Sequence, residues 1–512
     1  MIILNSRCLL VLSLCGCLPS CANAQPGGQT SAPAKIPLRT LIVSGGPTPD
    51  YNQYAIESNA RYVEKLTSGA TSQRILFADG SKKSRTISTL QPTADADERT
   101  VFAWIFDEDE PEDKTVYRAS TLKHIDGPAT KKSVLQNAAM LAAQAKAGER
   151  GLLYFTGHGS TGTNQLGALL GGQFGKDLEN TTYSLWKSDE VSVTELAGAL
   201  QKWPKDVPLV LVMVQCHSGG FANVMFEGGD PEKPVLDRNF AGFFAATAER
   251  QSSGCTSEVD ERDYQDFTTH FFAALSGRSR DGRVISGADY DRNGAVSMLE
   301  AYAWTNLQDA STDVPVCTSD AYLRHIYSGS EDEKWMQTPY SVLLASATPW
   351  QKAMLSGLSQ NLGLKGEKRI TAATAAHGRI KSEASSAEDD EIPESIDTEE
   401  LSERFYATQA VLRKKFPGLK APRRSARFLT AKRAAIAYLK TRPADVKVIA
   451  GAVKQWSAIG EQAPVREAKL WRFIRAARTI VLQKRLAQSG TPAQKAIFAR
   501  LRTSESKNPL LP

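Results

Sequence analysis

The sequence predicts an α/β fold, a mostly parallel sheet covered by helices on both faces, followed by a separate all-helical, basic C-terminal domain. Three observations carry this. From residue 38 onward, short and nearly continuous apolar runs alternate with longer amphipathic stretches, the pattern of parallel strands buried on both faces. At 381–400, nine acids stand against one lysine, which reads as a solvated linker. Beyond it, residues 401–512 hold 25 Lys and Arg against 5 Asp and Glu, in segments of helical composition.

The elements follow in order. Residues 1–24 read as a secretory signal: a short start through Arg7, an apolar run at 8–18 too short to span a bilayer, and small residues suited to cleavage before Gln25. The protein is therefore expected to be exported, periplasmic or secreted, with a lipid anchor through Cys17 as the alternative. A flexible segment at 25–37 leads into the main folded region at 38–350. Its strand candidates are 39–44, 75–77, 101–106, 152–156, 207–214 and 242–247, and its helix candidates 51–66, 132–147 and 193–202. A linker at 351–400 then joins the C-terminal domain, whose helices are expected to break at Pro417, Pro422, Pro443, Pro464 and Pro492. The chain carries +6 overall, so an excess of +20 in 401–512 leaves the first part acidic, and the two parts attract.

Four of the seven cysteines lie in the signal, leaving Cys216, Cys255 and Cys317. An odd number in an oxidising compartment leaves one thiol free unless it pairs between chains. Cys255 with Cys317 is the candidate disulfide, and Cys216 the free thiol. The run at 152–156 leads directly into Gly157-His158-Gly159-Ser160, and the run ending at Val214 into Gln215-Cys216-His217-Ser218-Gly219-Gly220. Both reactive side chains thus fall at the carboxyl edge of a parallel sheet, where ligands bind in such folds. A thiolate is the nucleophile, and an adjacent imidazole both activates it and protonates the leaving amine. Gly159 and Cys216 offer backbone amides for an oxyanion. A lone strand-end cysteine is more often a small buried apolar residue; the paired motifs favour the dyad. His217 is a weaker partner than His158 because consecutive side chains diverge.

These motifs resemble the caspase, legumain and gingipain group of cysteine peptidases, closest to legumain, over roughly residues 38–345. The resemblance implies a caspase-like three-layer α/β/α sandwich and endopeptidase activity on peptide or protein substrates. The stretch 245–255 is similar to the legumain segment lining the specificity pocket, which makes Glu249, Ser252 and Ser253 candidate substrate-binding residues. The stretch 45–53 resembles the loop whose Asn orients the catalytic His, and Asn52 is the matching position. The alternative function is a catalytically silent scaffold of the same fold that binds a partner or an anionic envelope component.

Residues 289–300 match the twelve-residue EF-hand loop. Asp289, Asp291, Asn293, Ser297 and Glu300 occupy the side-chain oxygen positions, Ala295 offers its carbonyl, and Gly294 takes the sharp turn. A structural Ca2+ is the cofactor expected there, and no organic cofactor is expected. The plainer reading is a polar turn capping a helix. For the basic C-terminal domain the readings are a solvated helical face and, from its place and charge in legumain-like zymogens, an intramolecular inhibitor released by cleavage in the acidic linker. Nucleic acid is not expected as a partner, and an anionic membrane surface is a minor alternative.

Overall fold

Buried apolar runs must satisfy their backbone polar groups, and most of those here pair as strands. In the computed structural model, which describes residues 36–91, 95–107, 114–162, 180–328, 333–386 and 398–511, they do so as a central sheet. The first half of the chain contributes β1 (Ile36–Ser44), α1 (Tyr54–Leu66), β2 (Ala70–Phe77), β3 (Ile87–Gln91), α2 (Ala96–Phe106), β4 (Lys114–Arg118), α3 (Lys131–Gln144), β5 (Arg150–Thr156), β6 (Gly159–Ser160), β7 (Thr182–Leu185), β8 (Asp189–Ser192), α4 (Val193–Ala199) and β9 (Leu209–Met213). There follow β10 (Phe240–Phe244), α5 (Phe267–Ser276), α6 (Met298–Gln308), β11 (Val316–Cys317), α7 (Thr318–Ile326), α8 (Tyr340–Ser346), α9 (Pro349–Asn361), α10 (Arg369–Ser386), α11 (Thr398–Lys415), α12 (Ala426–Leu439), α13 (Pro443–Ser489) and α14 (Pro492–Glu505).

The six-stranded sheet has the order β11-β10-β9-β5-β1-β2. All its pairs are parallel except β10 with the short edge strand β11. Side chains alternate across it as a pleated strand requires. Leu38, Ile42, Leu152, Tyr154, Val210 and Val212 enter one core with α1, α5 and α6, whereas Leu41, Val43, Leu153, Phe155, Leu211 and Met213 enter the other with α3 and α4. The expected helix-covered, mostly parallel sheet is therefore present. No helix among the described residues is long and apolar enough to cross a membrane.

Four expectations are corrected. The run at 101–106 is part of helix α2, and Val101, Phe102 and Ile105 form one face of it, packed on Leu412, Phe428 and Ile436. A short apolar run fits a buried strand or a helix equally well, and its partner surface comes from the far end of the chain. The C-terminal helices are not a separate domain: residues Lys35–Pro512 form one compact unit, and Leu470, Phe473, Ile474 and Ile480 of α13 lie in the same core as Ile42 and Tyr154. Nor is 351–400 a linker throughout, because α9 and α10 bury Leu355, Leu358, Ile370 and Ala373. Pro464 does not break its helix, while Pro443 and Pro492 stand at helix starts as their missing amide favours. The signal reading with Cys17, most of 25–37, and 387–397 of the acidic stretch lie outside the described residues; of 25–37, residues 36 and 37 already belong to β1.

Candidate active site

β5 and β9 are neighbours in the sheet, with Phe155 opposite Met213. His158 and Cys216 each stand three residues past that pair, so one loop end carries the imidazole and the adjacent one the thiol. The two loops touch: a side chain built on Gly159 would come within 2.5 Å of the Cys216 carbonyl oxygen and of Gln215 Cγ. Glycine is required there by this close approach.

His158 is half-buried, and burial lowers its pKa from the usual value, with the hydrogen bond to Tyr51 opposing the shift. Its Nε2 lies 2.8 Å from the Tyr51 carbonyl oxygen and 2.9 Å from Gln53 Oε1. Neither oxygen can donate, so Nε2 carries the proton and Nδ1 is the nitrogen left to accept one. Asn52 does not orient the imidazole, contrary to expectation. Its buried amide donates to the Thr86 carbonyl at 3.1 Å and accepts from the Gly46 amide at 3.3 Å, which fixes the loop whose flanking residues, Tyr51 and Gln53, hold the ring. Sequence reading missed Gln53, although it sits in the same quoted loop.

Cys216 is half-buried, receives the Ser252 amide on its Sγ at 3.3 Å, and lies against the Ser252 carbonyl at 3.8 Å. The backbone amide of Cys216 has no acceptor among the described residues. That of Gly159 lies outside its strand ladder: the Ser184 amide bonds the His158 carbonyl, which makes Gly159 and Tyr183 the non-bonded pair of the antiparallel alternation. Both amides predicted for an oxyanion are thus unspent in the local sheet. His217 is turned away, in a left-handed conformation with φ 59, its Nδ1 donating to the Ala248 carbonyl at 2.7 Å.

Of the predicted substrate-binding residues, Ser252 meets Cys216 Sγ, and Ser253 lies just beyond it, its amide on Asp313 Oδ1 at 2.6 Å. Glu249 faces solvent. Asp313 is fully buried, and burial, together with Asp309, pushes its carboxyl well above the usual range. The expected disulfide is absent. Cys255 and Cys317 are free thiols; Cys255 donates to the Gly157 carbonyl at 3.5 Å, and Cys317 lies 3.5 Å from Ser319 Oγ. Burial raises both thiols far beyond ordinary cysteine.

The loop at 289–300 lies at the other end of the sheet, beside a cavity of about 560 Å3 lined in part by Arg150, Met298 and Lys507. Asp289, Asp291 and Glu300 each bring one carboxylate oxygen within 4.8 Å of the others. Asn293 Oδ1 accepts the Ala295 amide at 2.9 Å, and Ser297 with Glu300 caps α6. The helix-capping reading is therefore realised, and the donor set also fits a hard cation with oxygen ligands.

No family model matches the chain, and no curated protein matches it. Among solved structures, the crystal structure of protein GSU0716 from Geobacter sulfurreducens is similar at 13% identity and a TM-score of 0.30, over 55% of this chain and 92% of that one. A likeness this slight bears on neither fold nor activity.

Proposed function

We propose that the chain is a cysteine endopeptidase of the caspase and legumain kind, with Cys216 as nucleophile and His158 as its proton carrier. The observation that carries the reading is positional: two neighbouring parallel strands end in register, one delivering an imidazole whose Nε2 is fixed by a carbonyl, the other a half-buried thiol that receives the Ser252 amide. In the reaction the Cys216 thiol passes its proton to His158 Nδ1 and the thiolate attacks the peptide carbonyl. The amides of Cys216 and Gly159 take the oxyanion. As the tetrahedral adduct collapses, the imidazolium gives its proton to the departing amine, leaving a thioester. Water, deprotonated by His158, then releases the carboxylic acid and restores the thiol.

The test is cleavage of a peptide library by the reduced full chain beside Cys216→Ala. Loss of cleavage in the variant supports the reading; no cleavage by either protein favours a binding scaffold. We likewise propose a structural Ca2+ held by Asp289, Asp291 and Glu300, with Asn293, Ser297 and the Ala295 carbonyl completing the shell. A rise in melting temperature with Ca2+ that is lost in Asp289→Asn supports it; equal melting with Ca2+ and with chelator refutes it.

A further inference from the structure

Helix α13 reaches two segments that flank the Cys216 loop. Glu467 accepts a two-armed pair from Arg250 at 3.0 and 2.7 Å and bonds His377 Nε2 at 2.6 Å. Burial alone would raise the Glu467 carboxyl, but Arg250 and His377 outweigh it and hold it below the usual range. Arg250 in turn receives, on its own backbone carbonyl, the amide of His217 at 2.8 Å, directly after Cys216. Five residues along the helix, Arg472 is fully buried and donates to the carbonyls of Asn306, Asp309, Ser311 and Asp313. The loop between α6 and β11 is wrapped around its guanidinium. That loop holds the second flank of the nucleophile: Asp313 fixes the Ser253 amide, and the adjoining Ser252 amide meets Cys216 Sγ.

We propose that Glu467 and Arg472 are positioning residues for Cys216, so that the C-terminal helix is a permanent part of the reactive unit and not a cover to be shed. The proposal deepens the peptidase reading and rests on it only in taking Cys216 as the reacting thiol. Charge-assisted pairs at buried ends fix geometry strongly, and a displacement of about 1 Å in a nucleophile costs about a hundredfold in rate. Two flanks held from one rigid helix place the sulfur more tightly than the loop could alone.

The experiment is iodoacetamide alkylation of Cys216, beside peptide hydrolysis, in the full chain and in Glu467→Gln, Arg250→Gln and Arg250→Lys, each checked by thermal melting. Glu467→Gln and Arg250→Gln are expected to stay folded, alkylate about tenfold more slowly, and lose kcat with KM nearly unchanged. Arg250→Lys, which keeps one charge-assisted bond, is expected to recover most of the loss. If Glu467→Gln does not fold, Arg250→Gln, whose side chain is partly exposed, is read in its place. Folded variants alkylated at the unmodified rate would overturn the positioning role. Failure of the peptidase reading is distinct, since it appears as no hydrolysis by the unmodified chain while the alkylation comparison still stands.

Discussion

His158 Nε2 donates to the Tyr51 carbonyl oxygen at 2.8 Å, and Gln53 Oε1 lies 2.9 Å from the same nitrogen. These two contacts leave Nδ1 as the ring nitrogen that exchanges a proton with Cys216 in the proposed mechanism. Replacing Gln53 with Ala removes one of them and leaves the backbone bond, so the ring keeps its tautomer but gains rotational freedom. Gln53→Ala is expected to lower kcat by about tenfold or less with little change in KM, measured on a cleaved peptide.

Burial lowers the His158 pKa, and the proposed reaction requires the neutral ring. The acid limb of the rate profile is therefore expected below the ordinary histidine value of about 6.5. The stability sign agrees: the folded pKa is depressed, so below the unfolded value the unfolded chain binds the extra proton and stability falls as pH drops through that window. Gln53→Glu sets a negative charge beside the imidazole and should move the acid limb upward. An unmoved limb would separate His158 from the proton-transfer step.

Glu505 of α14 is fully buried, accepting the Ser319 amide at 2.7 Å and the Ser319 hydroxyl at 2.6 Å. Burial pushes its carboxyl up to about 6 from 4.5. The folded state holds its proton longer than the unfolded one, so stability is lost as pH rises from about 4.5 to about 6, by about 2 kcal/mol. Glu505→Gln is expected to be more stable than the parent at pH 7 by about that amount and equal to it at pH 4. Denaturant melts at the two pH values check this.

Gly159→Ala would drive a methyl group into the Cys216 carbonyl. Separating the two loops misplaces the thiol and the Gly159 amide together, and loss of one oxyanion donor alone costs about a hundredfold or more. Hydrolysis is expected to fall by at least that factor while the chain still melts cooperatively.

Much of this was legible in the sequence. The apolar runs at 39–44, 75–77, 152–156 and 207–214 lie largely or wholly within strands β1, β2, β5 and β9, because continuous β-branched and aromatic runs have few other places to go. The placement of His158 and Cys216 followed from those runs and a parallel topology. The run at 101–106 was misread since only its partners at 412–436 reveal its helical face. The charge excess beyond 401 suggested a detachable unit, yet charge says nothing of the apolar stripe at Leu470, Phe473 and Ile480 that roots α13 in the core. Gln53 and Arg472 were illegible for a related reason: one meets His158 through a side-chain oxygen that only the folded loop brings to the ring, and the other acts through four backbone oxygens that no sequence pattern marks.

The most direct measurement is hydrolysis of a peptide library by the reduced full chain, run in parallel with Cys216→Ala and His158→Ala. Cleavage by the parent that is lost in both variants, with a thioester trapped on Cys216, is the predicted result. Cleavage that persists in Cys216→Ala, or none by a folded parent whose Cys216 alkylates no faster than an ordinary thiol, would contradict it.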